Sequence, residues 1–210
     1  MYIPAHFAAS ADDVHDLLTS RAAADLVTAT AAGLLASTLP MVFHPDVGEH
    51  GALRGHLARN NQQWSTAVLG EALVILRGSD AYISPSWYAA KARHGRVVPT
   101  WNYAMAHVYG QLAIHDDPEW LQAHVRRLTA HHEAAEPHPW SVDDAPARFV
   151  HGQLRAIVGL ELTITRVEAK LKLSQNRAAD DIQGVVAGLQ ACGDHRSADA
   201  VLAARPDRKA

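Results

Sequence analysis

Residues 79–110 read SDAYISPSWYAAKARHGRVVPTWNYAMAHVYG, and how this stretch is read decides the fold. It holds four of the five tyrosines (Tyr82, Tyr88, Tyr103, Tyr109) and two of the five tryptophans (Trp87, Trp101). Pro85 and Pro99 punctuate it, each followed by a hydroxyl and then an indole: Pro85-Ser86-Trp87 and Pro99-Thr100-Trp101. Proline lacks a backbone donor and pushes its predecessor into extended geometry. The stretch therefore predicts a strand, a wide turn and a second strand, with rings forming a wall near the connection. Such a wall is either core or one side of a site for a flat ligand, and the residues alone leave both open. Along 101–109, Trp101, Tyr103, Met105, His107 and Tyr109 share one face of a period-two pattern. Asn102, Ala104, Ala106 and Val108 share the other, where small side chains suit close packing on another layer or a second chain.

Outward from this centre, the patterns keep their local logic. Ser10 with Asp13 three residues on predicts a capping-box start to a helix carrying Val14, Leu17, Leu18 and Arg21. Segments 26–31 and 34–43 read as two extended pieces joined by a tight hairpin at Ala32-Gly33, with Pro40 marking an edge or an interruption. Ser37-Thr38 offers hydroxyls there. In LRGHLARNNQQW (53–64), Gly55-His56 followed by Ala58-Arg59 reads as a strand end entering a short helix. A helix N-terminus with Arg59 favours an anion, and a solvated helix with an exposed arginine fits equally well. Residues 67–77 read as a central strand or two. Asp117-Pro118 predicts an N-cap with proline at the first helical position, and Leu121, Val125 and Leu128 mark that helix's buried stripe. Val158, Leu160, Leu162 and Ile164 alternate with polar residues as a half-buried strand. EAKLKLSQN (168–176) continues it, with Lys170, Lys172 and Ser174 on one side. Those groups suit a phosphate or a carboxylate, or else guard a solvated edge. Residues 178–204 form a helix broken at Gly193, and the last six residues read as a frayed end.

Composition narrows the function classes. The 210 residues suit one domain with a substantial core, and a net charge of −3 gives no chain-wide footprint for nucleic acid. The lone cysteine, Cys192, excludes an intrachain disulfide and fits a reducing compartment. No apolar run nears the roughly 20 residues of a membrane span, and Met1-Tyr2-Ile3-Pro4 lacks a signal-peptide pattern, so a cytoplasmic protein without a membrane partner is expected. Among the fourteen histidines, His131-His132-Glu133 lacks the i, i+4 pair of a zinc helix and the rest lie singly. No metal is expected, and most histidines are expected at the surface.

MYIPAHF, GHLARNNQQW, AYISPSWY, VPTWNY, HVYG and KLKLSQN follow one another in an order that resembles the PaiB-type FMN-binding negative transcriptional regulators. The resemblance runs from Met1 to about Leu189. It departs at Gln62, where the family usually has proline, and the helix after Leu189 carries no matching motif. The resemblance implies an α+β fold, a split β-barrel of the pyridoxamine-phosphate-oxidase-like type with peripheral helices. It implies an FMN-binding domain over residues 1–190, a helical tail over 191–210, and a homodimer with FMN near the subunit interface. Carried over by motif and fold analogy, His56 and Arg59 would take the phosphate, with Lys172 as second choice. Ser37 and Thr38 would offer the ring backbone and hydroxyls. Thr100, Trp101 and Asn102 would close the pocket, and Gln175 would reach the ring edge or ribityl chain. The resemblance implies a regulator; DNA is a candidate partner that the charge does not support, and the sequence carries no helix-turn-helix signature. An FMN-dependent oxidoreductase acting on a small molecule and a haem-binding relative are the rival readings, and no nucleophile or acid–base pair stands out.

Overall fold

The computed structural model describes residues 1–20 and 22–205. Arg21 and residues 206–210, and with them most of the end read as frayed, lie outside the described residues. The elements are α1 Ala11–Leu18, β1 Ala23–Thr30, β2 Gly33–Pro40, β3 Val42–His44, β4 Ala52–Ala58, β5 Ala72–Ile83, α2 Ala89–His94, β6 Thr100–His115, α3 Pro118–Glu133, α4 Ala147–Leu154, β7 Ile157–Lys172, α5 Ala179–Ala191 and α6 His195–Ala203. Short 3-10 turns at Gln62–Trp64 and Pro85–Trp87 carry two of the sequence motifs. The strands form one seven-stranded sheet in the order β2-β1-β5-β6-β7-β4-β3.

Two compact units divide the chain. The first comprises His15–Leu76 and Ala106–Glu168; the second comprises Met1–Val14, Arg77–Met105 and the chain from Ala169. In the first unit, β1 and β2 pair antiparallel from Thr30↔Gly33 to Ala23↔Pro40, the hairpin expected at Ala32-Gly33. Gly33 has φ 117°, a conformation that a side chain resists. As its proline implied, β2 is an edge strand. The reading of 34–43 as one extended piece needs correction. Proline cannot donate to a ladder, so pairing stops at Pro40, and Val42–His44 pairs instead with β4, at the other end of the sheet order. Residues 67–71 likewise lie outside any strand, and β5 begins at Ala72. Leu26, Leu53, Val74, Val108, Val158, Leu160 and Leu162 are buried in this unit, together with Leu121 and Leu128 of α3. The side chain of Asp117 accepts from Trp120 N–H at 2.8 Å and starts α3 as read.

In the second unit, α5 and α6 pack together, and Ile182, Val185, Leu189, Ala198 and Val201 share one core cluster with Ile83, Tyr88 and Leu173. Gly193, at φ 79°, makes the expected break between the helices. The Ser10–Asp13 capping box is present, with Ser10 N–H donating to Asp13 Oδ2 at 2.8 Å and Asp13 N–H to Ser10 Oγ at 3.2 Å. Among the described residues no helix is long and apolar enough to cross a membrane.

Candidate functional site

Alternation along β6 decides which side of the aromatic stretch is core. Asn102, Ala106 and Val108 are buried, whereas Trp101 remains 50% exposed. The small face is inward because its neighbours leave no room: a Cβ at Gly110 would run into the backbone of Thr163. In the second unit the outward aromatics therefore stand as a wall. Tyr82, also 50% exposed, meets Trp101 edge-on with ring centroids 6.3 Å apart. Trp101 Nε1 donates to Asp80 Oδ1 at 3.2 Å, which holds the indole upright. Trp101, Tyr103, Met105, Arg77 and Asp80 line a cleft of about 370 Å³.

The end of β7 brings cations to the same unit. Lys172 Nζ donates to Trp101 O at 2.7 Å and to Thr100 Oγ1, both neutral oxygens. Burial holds its pKa below the usual lysine range; the charges of Lys170 and Arg177 act in the same direction, and Tyr103 opposes them. Lys170 is 9% exposed, donates to Tyr2 O at 3.2 Å, and lies 5.4 Å from the Tyr103 ring centroid. Arg177 lies over the Tyr88 ring at 4.7 Å. Among the described residues none of these three cations has a carboxylate ion-pair partner. A buried ammonium without a counter-ion is costly, so the arrangement is complementary to an anion. The solvated-edge reading is corrected at Lys170 by burial: β4 pairs with β7 only as far as Thr163, but Ala8 bridges Lys170, which is 9% exposed.

Asn102 is a support here and does not line the cleft. It is buried and donates to Ser174 Oγ at 3.0 Å, while Ser174 adopts a left-handed φ of 67° to turn the chain after β7. The Gln175 amide is spent on its own turn, accepting from Leu173 N–H at 2.7 Å and donating to Leu171 O at 2.6 Å. MYIPAHF, AYISPSWY, VPTWNY and KLKLSQN thus meet in one unit.

The remaining candidates belong to the first unit. Arg59 follows β4 and does not open a helix, which corrects the helix-terminus reading; the next helical turn starts only at Gln62. All its nitrogens are engaged, by a bidentate pair with Asp116 and by the carbonyls of Arg155 (2.8 Å) and Ile157 (3.0 Å). His56 Nδ1 lies 3.1 Å from His124 Nε2. Ser37 Oγ accepts from Asn61 Nδ2 at 2.8 Å, and Thr38 Oγ1 donates to Asp25 Oδ1 at 2.6 Å.

Three residues escaped the sequence reading. Gln63 is buried, and its Nε2 reaches Leu26 O, Thr28 Oγ1 and Leu35 O, clamping the β1–β2 hairpin. His44 and His124 are buried too, two exceptions that the surface expectation for most histidines did not single out. His124 could have been found, because it sits on the stripe of Leu121, Val125 and Leu128 at helical spacing. Burial, then the neighbouring His56, His44 and Arg54, holds His124 at about 3. Burial, then Arg54 and Arg127, holds His44 at about 4. Burial also lowers His56. Among the described residues no cluster of three or more histidine, cysteine or acidic side chains is arranged to hold a metal.

Comparison with known proteins places this geometry in a family. Residues 1–166 match the family described as "Putative FMN-binding domain". The chain is 31% identical over 192 residues to the Bacillus subtilis "Protease synthase and sporulation protein PAI 2", covering 90% of this chain and 89% of that one. Its fold is similar to that of a conserved hypothetical protein of Mycobacterium tuberculosis, with a TM-score of 0.58 at 13% identity over 85% of this chain and 94% of the other. It is also similar to the FAD and haem binding protein of Mycobacterium smegmatis, with a TM-score of 0.53 at 17% identity over 85% and 78%. The fold is the α+β split barrel expected from sequence, and the family's cofactor is FMN. With its motifs in order and this match along most of its length, the chain belongs to the putative FMN-binding domain family.

Proposed function

We propose that the protein binds FMN with its phosphate on the Lys172 group and its ring against the Trp101 wall. The observation that carries this reading is the set of three cations, Lys170, Lys172 and Arg177, with no carboxylate ion-pair partner among the described residues, in the unit that also holds the half-exposed Tyr82 and Trp101. A phosphate supplies the missing negative charge, and charge-assisted contacts to it are the strong kind. Asp80 fixes the half-exposed Trp101 indole, so stacking on it costs little further ordering. Arg59 is the weaker candidate for the phosphate because Asp116 already neutralises it. Bound FMN supplies redox chemistry; the side chains named here hold it and exclude water.

A second copy of the chain would cover the exposed Tyr82 and Trp101, consistent with a homodimer. The name of the Bacillus subtilis relative supports a regulatory output, and a net charge of −3 favours one exerted without direct DNA contact. Absence of a promoter-DNA shift at low salt is the expected result, and a salt-sensitive shift would reverse that part of the reading. For the site, Lys172→Met is expected to weaken FMN binding about 10- to 100-fold, the worth of one charge-assisted contact. Flavin titration followed by tryptophan quenching measures it. Unchanged affinity in Lys172→Met, together with loss of affinity in Arg59→Met, would move the phosphate to the first unit.

A further inference from the structure

We infer a second ligand site in the first unit, a cleft beside the Arg59–Asp116 pair that takes a small apolar monocarboxylate. The cleft measures about 340 Å³. Its floor is apolar: Pro118 and Leu121 from the start of α3, and Leu154 from the end of α4. Its rim carries Arg59, Asp116 and Arg155, with His151 completing the lining.

The charges set the class of ligand. Asp116 accepts both outer nitrogens of Arg59, so this pair is internally neutral. The hydrogen bonds to Arg59 hold the Asp116 carboxyl below the usual carboxylate range, so the neutrality persists into mild acid. Arg155 is exposed and its side chain has no ion-pair partner among the described residues; only its backbone carbonyl is used, by Arg59 Nε. One uncompensated guanidinium therefore overlooks an apolar pocket. A guanidinium fork matches a carboxylate through two parallel hydrogen bonds, and His151 can donate a third. The apolar body of the acid would lie on the exposed Pro118 ring and against the edges of Leu121 and Leu154, which are otherwise buried. A dianionic phosphate is disfavoured, because the one uncompensated guanidinium balances a single negative charge and the second would be left over an apolar floor. The pocket's charge thus selects both the sign and the magnitude of the ligand's charge.

The site draws on no residue of the Lys172 group, and its test stands apart from flavin binding. Isothermal titration of the FMN-loaded protein with 2-naphthoate should give a Kd on the order of 1 mM, as expected for a ligand of this size at ordinary efficiency. The neutral 2-naphthamide should bind at least about 10-fold more weakly, and Arg155→Glu should weaken 2-naphthoate by about the same factor, the worth of one charge-assisted hydrogen bond. Arg155 is exposed, so the variant should fold and keep its flavin, which its visible spectrum reports. Three outcomes would overturn the inference: no heat up to 10-fold above that Kd, equal binding of acid and amide, or unchanged affinity in Arg155→Glu. Competition between 2-naphthoate and free FMN would also overturn it, because the cleft would then be the cofactor's.

Discussion

Acidification should loosen this protein well above the range in which its carboxylates titrate, and two buried histidines set the size of the effect. His44 and His124 have folded-state pKa values of about 4 and about 3, against 6.5 when unfolded. A folded pKa below the unfolded one means that the unfolded chain binds protons first as pH falls. The stability they contribute is therefore complete above pH 6.5 and is lost as pH drops towards 4 and then 3. Each histidine withholds about 1.4 kcal/mol per pH unit over that interval. Two histidines over about two units, from 6.5 to 4.5, give an upper bound of about 5.5 kcal/mol. Each histidine is half protonated in the unfolded chain at pH 6.5, and His44 begins to titrate near the lower limit, which together bring the expected loss to about 4.5 kcal/mol. That is a large share of the roughly 5–15 kcal/mol that holds a domain together.

His56, pushed the same way by burial, adds to the slope. Arg54 Nη1, 3.4 Å from His44 Nδ1, and Arg127 oppose protonation of His44, whereas Glu161 and Asp46 favour it, and Glu161 is itself held by Arg54 Nε at 2.6 Å. The measurement is urea unfolding at fixed FMN from pH 7 to 4.5, with the slope of stability against pH compared between the natural protein and His124→Leu. The variant should lose about 1.4 kcal/mol per pH unit of slope. At pH 7 it should be destabilised by about 1–3 kcal/mol, because His56 loses its partner. Equal stability at pH 6.5 and 4.5, or an unchanged slope in His124→Leu, would refute the reasoning.

Other expectations rest on single contacts. Gln63→Leu removes the amide that reaches two carbonyls and a hydroxyl of the hairpin, and should cost about 2–3 kcal/mol in urea unfolding. Gln62 opens the 3-10 turn with its side chain exposed, a position where a missing N–H is harmless. Gln62→Pro should therefore stabilise by about 0.4–1 kcal/mol and raise the thermal midpoint. A methyl group at Gly159 would overlap the Trp120 ring, which is itself stacked on His115 with centroids 4.2 Å apart. Gly159→Ala should cost roughly 1–3 kcal/mol, read from the denaturation midpoint.

Legibility in the sequence followed the range of the interaction. Capping by Ser10 and Asp117, the hairpin at Gly33, the break at Gly193 and the alternation of β6 and β7 are each decided within a few residues, and the chain carries them openly. The ordered motifs also sufficed for the family and its cofactor. Which face of β6 would be buried was not decided locally, because Gly110 and its neighbours select the small side only once Thr163 lies against it. Nor could one strand's pattern tell that 34–43 would divide between opposite ends of the sheet order. Arg59 found Asp116 57 residues away, His56 found His124 68 away, and Lys172 found Thr100 72 away. A side chain's charge and donors are set by its own chemistry, but whether they face a partner, a ring or an uncompensated neighbour is settled only when distant backbone segments close around it.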